Sequence, residues 1–234
     1  MVLYGTIING LTIILGSILG LFFSNIQERY KETVIHGVSL VVIIIGLQMA
    51  LTVDKIIIVL ISLLIGALIG EFFNLETKIN VFARSLTRPL KTKDNDYIAQ
   101  AFITATLIFA IGAMAIIGAL DSGVRGDHEI LITKAIIDGF TALVLTTTLG
   151  YGVAFSAIPV IIYQGSIALL ATQIEKFVPE YILQGLITQI TAVGGLLIIA
   201  IGFNLLNITK IRISNLLPAL VVVCVIYYIY EMFL

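Results

Sequence analysis

The stretch IIIVLISLLIGALIGEFF, Ile56–Phe73, decides the class of fold. It is apolar from Ile56 to Ile65 save for Ser62 and runs 18 residues before the chain turns polar. A hydrocarbon core about 30 Å thick needs about 20 mostly apolar residues per helical crossing. An outer-membrane strand would instead alternate over about ten residues. The segment therefore reads as a transmembrane helix, and seven others read the same way: Val2–Phe23, Val34–Leu51, Ile98–Leu120, Ile130–Leu149, Val153–Ala171, Tyr181–Phe203 and Leu216–Phe233. The expected fold is all-α, a polytopic bundle of about eight transmembrane helices forming one integral membrane domain over 1–234.

The whole chain agrees with that segment. It has 234 residues, 59% apolar and 12% charged, with a mean hydropathy of +1.13; soluble domains run near 45–50% apolar and about 25% charged. A formal charge of −1 offers no clustered cation surplus for nucleic acid. The single cysteine, Cys224, excludes a disulfide scaffold. The first apolar stretch has no basic segment before it and no small-residue cleavage pattern after it, so it is expected to be a true span.

Lys and Arg collect in cytoplasmic loops. Loops after spans one, three, five and seven hold nine: Arg29, Lys31, Lys78, Arg84, Arg88, Lys91, Lys93, Lys210 and Arg212. Lys55, Arg125 and Lys176 fall on the other side, and Lys134 lies within span five. This bias places both termini outside. Eight of the nine tyrosines fall at span ends, where their amphipathic rings prefer headgroups; Tyr163, near the middle of span six, is the exception. The basic cytoplasmic loop 74–97 carries Leu75, Ile79, Phe82, Leu86 and Leu90 at spacings of three or four, which predicts a helix lying on the membrane surface.

Lipid supplies no hydrogen bonds, so deep polar side chains must find protein partners or line a watery path. Asn9, Asp138, Tyr163, Gln164, Gln184 and Gln189 lie several residues from the span ends, whereas His36, Glu71 and Glu231 can reach headgroups. Lys134 and Asp138, four residues apart, share a helix face and can pair. One reading makes them a neutral packing site. The other makes Asp138 a cation or proton site gated by Lys134, with Asp121, Asp127 and Glu129 drawing cations to its mouth and Arg125 partly offsetting them. Ser156, Pro159 and Tyr163 fall on one face of span six, where proline is expected to kink the helix and free the Phe155 carbonyl.

Gly16 with Gly20, Gly66 with Gly70, and Gly112 with Gly118 permit close helix packing, and Gly194 with Gly195 could allow a local break. Asn9-Gly10 matches Gln164-Gly165, and Gly46-Leu47-Gln48 matches Gly202-Phe203-Asn204, at nearly constant offset. These echoes predict an inverted repeat of helices 1–3 and 6–8, which would put Asn9 and Gln164 at equivalent positions near a pseudo-two-fold axis.

The segments GAMAIIG (112–118), GDH (126–128), KAIIDG (134–139), FSAIPVIIYQG (155–165) and KIRISNLLPAL (210–220) resemble the uncharacterised bacterial multi-pass membrane proteins of domain-of-unknown-function family 554, some described as transport proteins. The resemblance covers nearly the whole chain. It implies a bacterial cytoplasmic-membrane protein and supplies no substrate or catalytic residues.

Movement of a small solute or ion through the membrane is the leading functional expectation, with Asn9, Lys134, Asp138, Ser156, Pro159, Tyr163 and Gln164 as the substrate- or ion-binding residues. A non-transporting scaffold or regulator is the alternative. Two histidines assigned to opposite membrane faces, one cysteine, and the lack of HExxH, GxSxG or a phosphate loop argue against an enzyme and against a metal or cofactor. The expected partners are membrane lipids and the transported species; a homo-oligomer is compatible with the glycine faces, and nucleic acid is not a partner.

Overall fold

Apolar runs fold into helices in lipid because only a helix satisfies every backbone N–H and C=O within one crossing segment. A computed structural model of the chain describes residues 1–23, 28–87 and 95–233. Arg88, Leu90, Lys91 and Lys93 lie outside the described residues, as do the side chains of Lys31, Arg84, Leu86 and Tyr97. Among the described residues the elements are α1 (Tyr4–Phe22), α2 (Glu28–Ala50), α3 (Ile56–Phe73), α4 (Leu75–Thr87), α5 (Asn95–Ala110), α6 (Ala113–Val124), α7 (Glu129–Leu149), α8 (Ala157–Phe177), α9 (Glu180–Leu205) and α10 (Pro218–Phe233), with 3-10 turns at Gly150–Ser156 and Ile213–Leu216.

α1 and α3 turn most of their large apolar side chains outward. On α1, Leu15 and Phe22 are 58% and 77% exposed, while Gly5, Thr6, Asn9, Gly10, Gly16, Ser17 and Gly20 are buried. On α3, Leu68 and Phe72 are exposed while Ser62, Gly66 and Gly70 are buried. A water-soluble helix would do the opposite. Lipid gains nothing from hiding leucine, so membrane helices meet through small and polar residues.

By length and composition six helical stretches can cross a membrane, or seven if a bent pair counts as one span. Two features separate this count from the eight expected. Span four is broken: α5 and α6 meet at 61°. Gly112, at φ +146°, takes a backbone conformation that L side chains rarely adopt, so this glycine breaks the span rather than packing it. Spans five and six form one helical run, Glu129–Phe177, of 49 residues. At 1.5 Å per residue that is more than twice the core thickness. Gly150, at φ +75°, ends α7 within it.

Two compact units compose the chain. The first joins 1–38, 80–110 and 114–177. In it, α1 packs along α7 in the same direction: Gly5 meets Leu131, Gly16 meets the Gly139 backbone, and Gly20 meets Leu143 and Thr146. It packs against α8 in the opposite direction, with Gly10 against Ile161 and Thr6 beside Gly165. The chain thus reverses between α7 and α8, over the 3-10 turn. The second unit joins 39–79, 111–113 and 178–234. There Gly66 and Gly70 of α3 abut Ala219 and Asn215, at the start of α10 and just before it. α9 runs unbroken through Gly194 and Gly195, which pack against Ile111 and Ala50. The expected break there does not occur.

Candidate intramembrane polar site

Three helices of the first unit, α1, α7 and α8, converge on a buried polar chain. Lys134 Nζ donates to the Asp138 carboxylate, as their spacing of one helical turn predicts. Asn9 lies beside the Asp138 carboxylate. The Asn9 amide also donates to Gln164 Oε1 at 3.2 Å. Lys134, Asp138, Asn9 and Gln164 are 6%, 5%, 0% and 0% exposed. Each link is local: α1 presents Asn9 on its small-residue face, α7 presents the ion pair one turn apart, and α8 presents Gln164 beside Gly165.

The chain is incompletely satisfied. Asn9 Oδ1, Gln164 Nε2 and the hydroxyl oxygens of Thr6, Ser17 and Thr146 are buried with no hydrogen-bond partner among the described residues. Such groups cost about 1–3 kcal/mol each relative to satisfied ones. Thr6, Asn9 and Ser17 lie along the buried face of α1, and Thr146 on α7 lies against Gly20. The hydroxyls escaped notice in the sequence because Ser and Thr in helices commonly bond their own backbone, as Thr12 does to the Asn9 carbonyl. Their signal was the spacing of Thr6, Asn9, Gly16, Ser17 and Gly20 on one face of an otherwise bulky helix. A smaller counterpart occurs in the second unit, where Gln189 Oε1 and Thr191 Oγ1 of α9 are buried without partners among the described residues.

Other expected site residues are placed differently. Ser156 is buried, but its hydroxyl donates to the Val153 carbonyl at 2.6 Å. Pro159 is half-buried in the first turn of α8, where a missing N–H breaks no helical bond; it does not kink the span. Tyr163 is half-buried and one residue from Gln164. Gln184 is exposed rather than deep, bonding Glu180 at 3.4 Å within the first turns of α9.

The polar loop before α7 is committed locally. Asp121 pairs with Arg125 at 3.4 Å. Asp127 Oδ1 accepts the Glu129 N–H at 3.0 Å, satisfying one of the free donors at the start of α7. Ser122, near the end of α6, donates its hydroxyl to the Val2 carbonyl at 2.7 Å and lies 2.7 Å from His128 Nδ1, so the end of α6 ties down the residues just before α1. Among the described residues no group of three His, Cys, Asp or Glu could hold a metal ion.

Comparison with known proteins finds uncharacterised relatives, one of them named as a membrane protein. The chain is 34% identical to the uncharacterized membrane protein YdfK of Bacillus subtilis (strain 168) over 236 residues, covering 99% of this chain and 98% of that one. It is 30% identical to the uncharacterized protein YqgA of Escherichia coli (strain K12) over 221 residues, covering 92% of each. No solved structure matches the chain. The model of the protein family of unknown function DUF554 matches residues 4–228, and the chain belongs to that family.

Proposed function

We propose that the protein moves a small solute or ion across a bacterial cytoplasmic membrane, through the buried polar chain of Asn9, Lys134, Asp138 and Gln164. One observation carries this reading: an ion pair and two amides are buried together between three apolar helices with donors and acceptors left over. A bundle selected only for packing has no use for such a cluster, since apolar groups of similar volume would be as stable or more so. Intramembrane ionisable groups instead mark substrate and ion paths. The reading assigns no catalytic step to the chain.

In this reading the chain crosses eight times with both termini outside. The opposite packing directions of α7 and α8 along α1 support a crossing each, and the nine-to-three loop bias supports the orientation. The inverted repeat belongs to the same reading. A two-fold axis requires equivalent residues to exchange their contacts. Asn9 and Gln164, 155 residues apart and matched by sequence, bond each other. In the second unit a Cβ on Gly46 would lie 2.7 Å from the Gly195 carbonyl oxygen, and one on its match Gly202 would lie 3.1 Å from that of Ser39, which is the residue equivalent to Gly195. Lys55, just before α3, pairs with Glu231 near the end of α10 at 2.7 Å. Arg212, before α10, pairs with Glu71 near the end of α3 at 2.6 Å. These exchanged contacts support repeated halves of opposite topology, a plan common among secondary transporters.

Flux into liposomes holding purified protein tests the proposal. Wild-type protein is expected to carry a saturable flux that Gln164→Ala, and Lys134→Met together with Asp138→Leu, abolish while remaining folded. No flux of any cation, anion or amino acid offered would overturn it in favour of a scaffold.

A further inference from the structure

The site's charge balance narrows what it can hold. Lys134 and Asp138 sum to zero, and both are more than nine-tenths buried. A ligand with net charge would leave one charge uncompensated in apolar surroundings, which costs several kcal/mol. A neutral polar ligand would need only the amides and would leave a buried ion pair without a role. A ligand carrying one charge of each sign replaces the Lys134–Asp138 contact with two contacts of the same kind and keeps the site neutral throughout.

The leftover hydrogen-bonding groups match that ligand. Asn9 Oδ1 is an unmet acceptor and Gln164 Nε2 an unmet donor. Exchanging both amides swaps the two roles, but one side-chain oxygen and one NH2 group stay unmet in either orientation. The Thr6 hydroxyl, also unmet, lies one turn from Asn9 on the same side chain whose methyl faces Gly165. Size is limited as well. Lys134 and Asp138 touch directly, so the ligand's charges must sit close together, as on a single carbon atom. Beside Gln164, a Cβ built on Gly165 meets its nearest neighbours, Leu3 and Thr6, at 3.5 and 3.9 Å, ordinary contact that admits a methyl group.

We propose that the site binds a small zwitterion of the free α-amino acid class, its ammonium held by Asp138 and Asn9 and its carboxylate by Lys134 and Gln164. This rests on the transport reading for the site's location and goes beyond it in naming the substrate class.

The test uses wild-type protein, so that no variant need fold. Purified protein is heated in detergent with glycine, L-alanine, L-serine or L-threonine, and with lactate, ethylammonium and lactamide, which lack one or both charges. The same compounds compete in liposome counterflow of labelled alanine. The zwitterions are expected to raise the melting temperature saturably and to exchange. Each single-charge analogue should be at least about tenfold weaker, the loss of one charge-assisted contact. Stabilisation by lactate, ethylammonium or lactamide equal to that by alanine overturns the inference, as does the failure of all four amino acids to bind. Flux of an inorganic ion without amino-acid binding overturns it while leaving the transport reading intact. Amino-acid binding without exchange upholds it and removes transport. As a second check, Gly165→Ala, whose added methyl has room, should keep the fold and weaken threonine more than glycine.

Discussion

Lys134 and Asp138 are the residues at which stability and activity part company. Removing one partner of a buried pair strands the other, whereas replacing both with apolar groups of similar volume does not. Lys134→Met alone should therefore cost about 3–5 kcal/mol, and Lys134→Met with Asp138→Leu should recover most of it; unfolding in detergent measures both. Lys55 makes a different prediction, because it lies outside the spans. Its hydrogen bond to Glu231 raises its pKa above the ordinary lysine value, and Tyr230, 4.0 Å away, adds a cation–π contact. A raised folded pKa means the contribution is complete below the unfolded lysine value and is lost as pH rises through the folded one. The melting-temperature difference between wild type and Lys55→Met should stay constant from neutral pH and shrink only above about 10.4. At this scale much was legible. The four-residue spacing of Lys134 and Asp138 and the depth of Asn9 and Gln164 were plain in the sequence. Gln184 is three residues from the start of the expected span and four from that of α9, near an end in both, and Pro159 misled because the helix restarts at Ala157.

Helix packing here depends on absent side chains. At Gly16 any Cβ would run into the Gly139 backbone, which cannot swing away as a side-chain tip can. Gly37, on α2, has nothing within 4 Å. Gly16→Ala is expected to lower the melting temperature sharply or prevent folding, and Gly37→Ala to leave it unchanged or slightly raised, since alanine is the better helix former by about 1 kcal/mol. Equal effects at the two sites would show that α1 and α7 do not pack through Gly16. The sequence identified the packing glycines by spacing, and Gly16, Gly20, Gly66, Gly70 and Gly118 all sit against neighbours. Spacing could not reveal that Gly112 breaks its span or that Gly194 and Gly195 leave α9 whole. A glycine's role depends on whether its φ is positive, and tertiary context decides that. A helix forms within 74–97 as α4, starting at Leu75, where Asn74 in left-handed conformation (φ 50°) ends α3.

For the whole molecule, hydropathy was enough to identify an all-helical membrane protein, because 59% apolar residues have no other solvent. Counting crossings was harder, since hydropathy cannot distinguish a broken span from two spans. Labelling from each side of the membrane tests the proposed topology. In a Cys224→Ser background, a cysteine at Asp127 should react with an impermeant maleimide added outside, and one at Lys210 should react only after the membrane is opened. The reverse pattern would invert the orientation, and reaction of both from one side would contradict the eight-crossing count. The proposed function puts solute movement in the buried polar chain rather than in the bundle around it, and the variant carrying Lys134→Met and Asp138→Leu separates the two. Measured in liposomes beside wild type, with folding verified by its melting temperature, it should carry less than about a tenth of the wild-type flux, a loss of at least about 1.4 kcal/mol in transport free energy. Flux equal to wild type in that folded variant would contradict the account.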